Sequence, residues 1–492
     1  MAVSSPGITP VERVAPARPT AWTQLVLRLH FYIGLFVGPF ILVAAITGTL
    51  FVLTPQLENM IYAQQLRNDS QGEAQSVSRQ VQAAVQHMGA DNTLYAVRPS
   101  PAAGWNTRVM FTEAGLAGGE HRALFVDPVT LDIRGDLVVY GTSGNLPFRT
   151  WLDHMHRSLL LGEWGRNYSE LAASWLWLAT LGGLFLWFVS RRRTSAEQAR
   201  RSPRLAQRRL HGMVGIWIAI GLLFLSVTGL TWSNWAGGRI GELRQTLGWV
   251  TPSVSTKLAT AGAGADAHAH HAPATDDEHA HHTGAAQGQA APVATPSGQP
   301  AMPHSPMSTT VALFDPILAT TRAAGIDSEQ IEIRTPRSAD QAWLIRETDR
   351  SWPTQVDTIA IDPATMTVVS RADFATFPLV AKLIRWGIDT HMGILFGWVN
   401  QLIMAAFGVA LSLMVVLGYM MWWKRRPAPG APVSTVVAAW TGLSWRARLS
   451  SVVAAVVLAW SLPVMGVSLL AFLLVDALRW RRQKRRAMPS AM

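Results

Sequence analysis

The sequence predicts an α-helical polytopic membrane protein with two small α+β extracytoplasmic domains, built from an internally duplicated helix–domain–helix unit. Three observations carry that prediction: long apolar runs, basic clusters beside them, and residues that recur at fixed offsets. Across 492 residues, 49% are apolar, 21 are Trp and only 15% are charged, more apolar material than one soluble core requires. It is concentrated in the runs 29–53, 174–190, 210–233 and 393–423. Each suffices to cross a hydrocarbon layer of roughly 30 Å at about 1.5 Å rise per residue.

In chain order, a polar leader fills 1–20, and the first helix, 21–54, is too long and too poorly flanked to be a cleaved signal peptide. A polar domain covers 55–150, an interfacial segment and second helix 151–190, a basic loop 191–208 and a third helix 209–233. The second polar domain spans 234–385, the fourth helix 386–423 and a loop 424–448. The apolar run 449–479 precedes a basic tail, 480–492, and is broken at Ser461-Leu462-Pro463. Basic flanks at both ends make it a short or re-entrant hairpin turning near Pro463.

Orientation follows from the arginines, which are retained on the cytoplasmic side in short loops. Arg191, Arg192, Arg193, Arg200, Arg201, Arg204, Arg208 and Arg209 face a single acid, Glu197, and Lys424, Arg425 and Arg426 close the fourth helix. The N-terminus is then cytoplasmic, the polar domains lie outside, and the expected location is a bacterial inner membrane. The net charge of +11 reflects topology and anionic lipid rather than nucleic acid, for which no aromatic-interleaved basic motif is present. The absence of cysteine excludes disulfides, Cys-ligated iron–sulfur clusters and covalently attached haem.

Arg28-Leu29-His30, Gly34 and Thr47-Gly48 recur as Arg209-Leu210-His211, Gly215 and Thr228-Gly229, an offset of 181 residues. Trp151, His156 and Gly162 match Trp386, His391 and Gly397 at an offset of 235, as does Asp127-Pro128-Val129-Thr130 with Asp362-Pro363-Ala364-Thr365. The 54-residue difference points to an insertion in the second copy. Residues 255–308, rich in Ala, Gly, Pro and His without an apolar period, have the composition of a disordered loop of that size. The two copies then have parallel topology about an axis along the membrane normal. Within each domain, strands flank the Asp-Pro turn, at 123–126 and 131–133 and again at 359–361 and 366–368, and an amphipathic helix is expected over 78–87. Asp127 and Asp362 belong to turn chemistry, not catalysis.

With these features the chain resembles the PepSY-associated transmembrane proteins, a family often described as iron-regulated membrane proteins and including inner-membrane ferric-siderophore reductases. The resemblance covers 20–425 and rests on the Arg-Leu-His helix starts, the stretch from His156 to Gly162, the paired Asp-Pro-x-Thr turns and the two-by-two helix plan. It implies two PepSY-type extracytoplasmic domains and, as in the reductase members, two b-type haems held by membrane histidines.

The fourteen histidines lead the same way. Nine lie in the polar domains or the insertion. Of the remaining five, His30 and His211 begin outward-running helices, while His156 and His391 precede inward-running ones. The repeat pairs His30 with His211 and His156 with His391, the bis-imidazole sets that two electron-transfer haems need. His154 competes with His156, but its repeat position holds Asp389. A lone histidine at a membrane interface is usually an anchor; two pairs retained between drifted copies argue for ligands. Gly34 and Gly215, one turn beyond His30 and His211, would admit a macrocycle against the backbone.

In the insertion, His268, His270, His271, His279, His281 and His282, with Met302, His304 and Met307 beyond, offer donors for exchangeable Cu, Zn or Fe; an idle low-complexity tract is the alternative. No dinucleotide fingerprint, P-loop, nucleophile elbow or zinc-protease motif occurs, so electrons must come from quinol or from a cytoplasmic flavoprotein docking on the basic loop. The expected function is a di-haem inner-membrane ferric reductase acting on an extracytoplasmic ferric complex such as a ferric siderophore. The competing expectation is a haem-free PepSY-type binding or regulatory protein contacting a peptide, protease or metal carrier.

Overall fold

The computed structural model describes residues 20–89, 92–190, 202–258, 307–424 and 435–487. Among them, five helices are long and apolar enough to cross a membrane: Ala21–Val52, Gly162–Ser190, Pro203–Thr231, Gly397–Trp423 and Pro463–Arg485, the first to fifth spans below. Their outward faces carry exposed Phe188, Trp217, Ile220 and Val409, a surface suited to lipid rather than water. Inside, Ile33, Val37, Trp175, Leu222, Leu411 and Met465 form a common core. The chain is a membrane protein built mostly from helices, with an antiparallel sheet outside the bundle.

The first span is not a uniform α-helix. Pro39 has no N–H with which to bond the carbonyl of Leu35, and the turn ahead of it, Ile33–Val37, is π-helical. Tyr419 of the fourth span donates its hydroxyl to that Leu35 oxygen at 2.6 Å, replacing the missing donor. Farther along, a Cβ on Gly408 would collide with Thr49 Oγ1 and lie 3.0 Å from Ala45 O, so glycine lets the first and fourth spans approach backbone to backbone.

Strands β1 (Thr93–Arg98), β2 (Thr107–Thr112), β3 (Glu120–Val126) and β4 (Ile133–Tyr140) form one antiparallel set. Strands β5 (Ile331–Arg334), β6 (Trp343–Glu347), β7 (Thr358–Asp362) and β8 (Thr367–Ala372) form another. Where two separate modules are expected from the sequence, β1 pairs with β5 through Val97 and Ile333. A single eight-stranded sheet results, ordered β4-β3-β2-β1-β5-β6-β7-β8. The pairing has a physical motive, because it consumes one exposed edge from each set.

One sheet face buries Val97, Phe111, Leu124, Ile333, Trp343 and Ile361 against helices Val77–Met88 and Phe314–Ala323, each large apolar side chain contributing about 1.5–3 kcal/mol. The other face looks toward Tyr62, Leu66 and Leu146 at the entrance to the bundle. The Asp-Pro turns are held by their own side-chain hydrogen bonds. Asp127 accepts from Ser70 Oγ, from the Val129 and Thr130 amides and from Arg134, and Asp362 accepts from Ala364 N and Thr365 Oγ1.

Two expectations change. The residues flanking the insertion belong to the fold: Ala342 N donates to Thr256 O, Leu258 N donates to Asp340 O, and Met307 starts a helix packed on the sheet core. The ends of the expected insertion, 255–258 and 307–308, thus belong to the fold, and the remainder, 259–306, with His268, His270, His271, His279, His281, His282, Met302 and His304, lies outside the described residues. The C-terminal run breaks at Leu462, but its arms, Trp445–Ser461 and Pro463–Ala487, are longer than a hairpin within 449–479, because the helix continues through the basic residues. Asp476 ties this region to the first span, accepting from Tyr32 Oη at 2.6 Å and from Val437 N.

Candidate functional site: two pairs of buried histidines

The third residue of each Arg-Leu-His start turns inward. His30 of the first span and His211 of the third face each other with ring centroids 6.3 Å apart and planes at 82°. His30 Nδ1 lies 3.0 Å from Ala179 O of the second span, and His211 Nδ1 lies 3.1 Å from Met414 O of the fourth. A carbonyl oxygen can only accept, so each Nδ1 carries the proton and each Nε2 keeps a free lone pair. Two imidazoles bound through Nε2 to opposite faces of one iron, at bonds of about 2 Å, have centroids roughly 6 Å apart. The 6.3 Å between the His30 and His211 centroids matches that spacing.

The outer pair sits on two short helices above the spans, Pro147–Ser158 and Leu379–His391. The first helix ends two residues after His156 and the second at His391, and the chain re-enters the bundle at Gly162 or Gly397, whose φ values of +59° and +56° suit glycine. His156 Nδ1 is 3.0 Å from Thr47 Oγ1, and His391 Nδ1 is 2.6 Å from Thr228 Oγ1. Thr47 already donates to Val43 O and Thr228 to Phe224 O, so both hydroxyls are left to accept from Nδ1–H. The same tautomer follows as in the inner pair. Burial holds the outer imidazoles neutral: with His156 adding to burial, His391 is pushed down to about 3, and burial lowers His156 against the pull of Asp153.

Thr47 and Thr228 recur at matching offsets, yet their contact with the histidines was missed; a hydroxyl seventeen residues after a helical histidine is the signal that could have exposed it. Gly183 was missed too, and a Cβ there would stand 3.2 Å from His30 Cε1. Gly34 and Gly215 do not line a common slot. Nothing lies within 4 Å of a Cβ on Gly34, whereas one on Gly215 would meet Met414 Cε at 3.2 Å, because the two helices present these turns to different neighbours. His154 lies edge-on to Tyr140 at 5.0 Å, apart from the pairs. Its counterpart Asp389 is fully buried and accepts from Arg350 Nε at 2.6 Å and Arg385 Nε at 3.1 Å. Among the described residues no three or more His, Asp or Glu side chains gather as a metal-binding group.

A family model described as the PepSY-associated TM region matches residues 27–425. No curated protein matches the chain.

Proposed function

The chain belongs to the family of PepSY-associated transmembrane proteins, and from that premise we propose that it is a di-haem electron-transfer protein of a bacterial inner membrane, reducing an extracytoplasmic ferric complex such as a ferric siderophore. The supporting observation is that all four histidines hold Nδ1 within hydrogen-bond distance of a protein oxygen, which makes Nε2 the nitrogen for a metal. That is the arrangement in which outer partners fix a metal-ligating imidazole. In this reading His30 and His211 hold one b-type haem and His156 and His391 the other. When bound, these groups supply one-electron carriers at two depths of the membrane.

The residues themselves do the positioning. The carbonyls of Ala179 and Met414 and the hydroxyls of Thr47 and Thr228 orient the rings and raise their basicity. His30 precedes Thr47 by seventeen residues in one helix, roughly 25 Å of axial rise, so the pairs lie near opposite faces of the hydrocarbon. The repeat offsets support a duplicated helix–domain–helix unit, and the arginine distribution supports a cytoplasmic N-terminus. Electrons then enter from quinol or a reduced cytoplasmic flavoprotein, and Fe(III) in the outer complex leaves as Fe(II), which oxygen chelators hold less tightly.

The test is an absorption spectrum of the detergent-purified chain from haem-replete cells. The expected result is a Soret band, a reducible b-type α band, and haem extractable by acid acetone because no cysteine can tether it. A colourless preparation overturns the proposal and leaves the haem-free binding or regulatory reading.

A further inference from the structure

The bundle-facing side of the sheet holds an excess of buried positive charge where the two strand sets meet. Arg98 of β1, Arg108 of β2, Arg334 of β5 and Arg346 of β6 converge there with Glu332 of β5. Arg98 and Arg346 contact Glu332 at 2.6 and 2.9 Å, and Arg334 Nε donates to it at 2.7 Å. Backbone carbonyls of the turn after β4 are further partners: Arg98 donates to Ser143 O and Thr142 O, Arg346 to Thr142 O, and Arg108 to Gly144 O. A Cβ on Gly144, at φ +61°, would lie 2.8 Å from Arg108 Nη1 and 2.9 Å from Arg98 Nη1, so glycine brings the backbone directly onto the guanidiniums.

Carbonyl dipoles satisfy donors but do not neutralise charge. Arg98, Arg334 and Arg346 share the Glu332 carboxylate, and Glu58, which acts on Arg108 together with Glu332, also answers Arg149. The imbalance leaves marks. Arg346 Nε is buried without a hydrogen-bond partner. Burial, with Arg98 adding to it, pushes the Arg108 guanidinium down to about 9. Burial would raise the Glu332 carboxyl, but Arg346, Arg98 and Arg334 hold it far below the usual carboxylate range. Uncompensated buried charge is costly, and an oxyanion accepting charge-assisted hydrogen bonds relieves that cost. The side chains of Arg98 and Arg346 keep 17% of their surface exposed, the part of the cluster that an anion would meet first.

The cluster is also tied to the outer histidine helix. Arg350 donates to Ser143 Oγ at 3.1 Å and to Asp389, which precedes His391 by two residues.

We propose that Arg98, Arg108 and Arg346 form an oxyanion site that takes the free carboxylates of a ferric polycarboxylate chelate, making the outer electron acceptor an anionic complex. The identity of the ligand as acceptor rests on the ferric-reductase reading; the anion site itself does not. Its binding is read by titration calorimetry on the purified full chain with iron-free citrate, ferric citrate, inorganic phosphate and an uncharged ferric trihydroxamate chelate. Both citrates should bind with an affinity that falls with salt, and the uncharged chelate should not compete. Arg346→Gln should weaken citrate roughly tenfold, Arg346→Lys should restore part of the loss, and Glu332→Gln, which removes the competing carboxylate, should tighten it. The control Arg122→Gln, on a separate pair with Asp136 and Glu113, should leave it unchanged.

No citrate binding, equal binding by wild type and both Arg346 variants, or weaker binding by Glu332→Gln in a folded protein overturns the site. If Glu332→Gln fails to fold, the two Arg346 variants decide. Phosphate binding as tightly as ferric citrate overturns the acceptor class. A colourless protein that still binds citrate by these arginines refutes the reductase reading and leaves the site standing.

Discussion

Thr47 Oγ1 stands 3.0 Å from His156 Nδ1 while passing its own proton to Val43 O. The first span thereby fixes the tautomer of a histidine 109 residues away. Thr228, donating to Phe224 O, does the same for His391. Replacing either threonine by valine keeps the shape and removes the acceptor. Thr47→Val and Thr228→Val should each lower outer-haem affinity by about 10–100-fold while leaving the inner haem in place. Haem titration of the apoprotein checks this, and equal loss from both sites would show that the threonines act on folding.

Removing an axial imidazole is the stronger intervention. His30→Ala or His211→Ala should abolish the inner haem signal and spare the outer, and His156→Ala or His391→Ala the reverse, read as separate components in a redox-titrated α band. His154→Ala should change neither, because His154 packs on Tyr140. If His154→Ala bleaches the outer component and His156→Ala does not, the pairing is wrong.

Replacing 259–306 by a short Gly/Ser linker should leave both haems and chelated-iron turnover intact, because the first copy of the repeat works without such a segment and loop shortening changes closure entropy by only about 0.6 kcal/mol per halving. Binding of Cu or Zn should fall, since six paired-motif histidines and His304 go with the segment. Extending the deletion to 255–308 should destabilise the outer sheet, because it removes the Thr256 and Leu258 backbone bonds and the packing of Met307. Metal analysis and thermal melts of the two deletions separate these effects.

Tyr419→Phe leaves Leu35 O without its donor beside Pro39. The expected cost is about 1 kcal/mol, seen as a lower melting temperature in detergent with unchanged haem content. A larger loss accompanied by inner-haem release would mean that the π-turn also governs where His30 points.

The sequence reveals some of this readily. The spans are legible because apolar residues must face lipid over a fixed length, and the histidine pairs because their surrounding residues recur at matching offsets. The β1–β5 join is not, since strand pairing across more than 230 residues leaves no local pattern. The arginine cluster is hidden for the same reason: Arg98, Arg108, Glu332 and Arg346 each look like an ordinary polar residue on an alternating strand. The acceptors for His30 and His211 are backbone carbonyls, whose positions any side chain at 179 or 414 would encode equally well.

The single sheet has a consequence for synthesis. Val97 meets Ile333 only after 236 further residues have been made, which takes roughly 12–50 s at the usual pace of about 5–20 residues per second. Throughout that interval the unpaired side of β1 displays open amides and carbonyls that other extended chains could capture. The high contact order of this one join makes it the slow, exposed stage of maturation, and a truncated chain ending before Ile331 keeps that adhesive edge permanently.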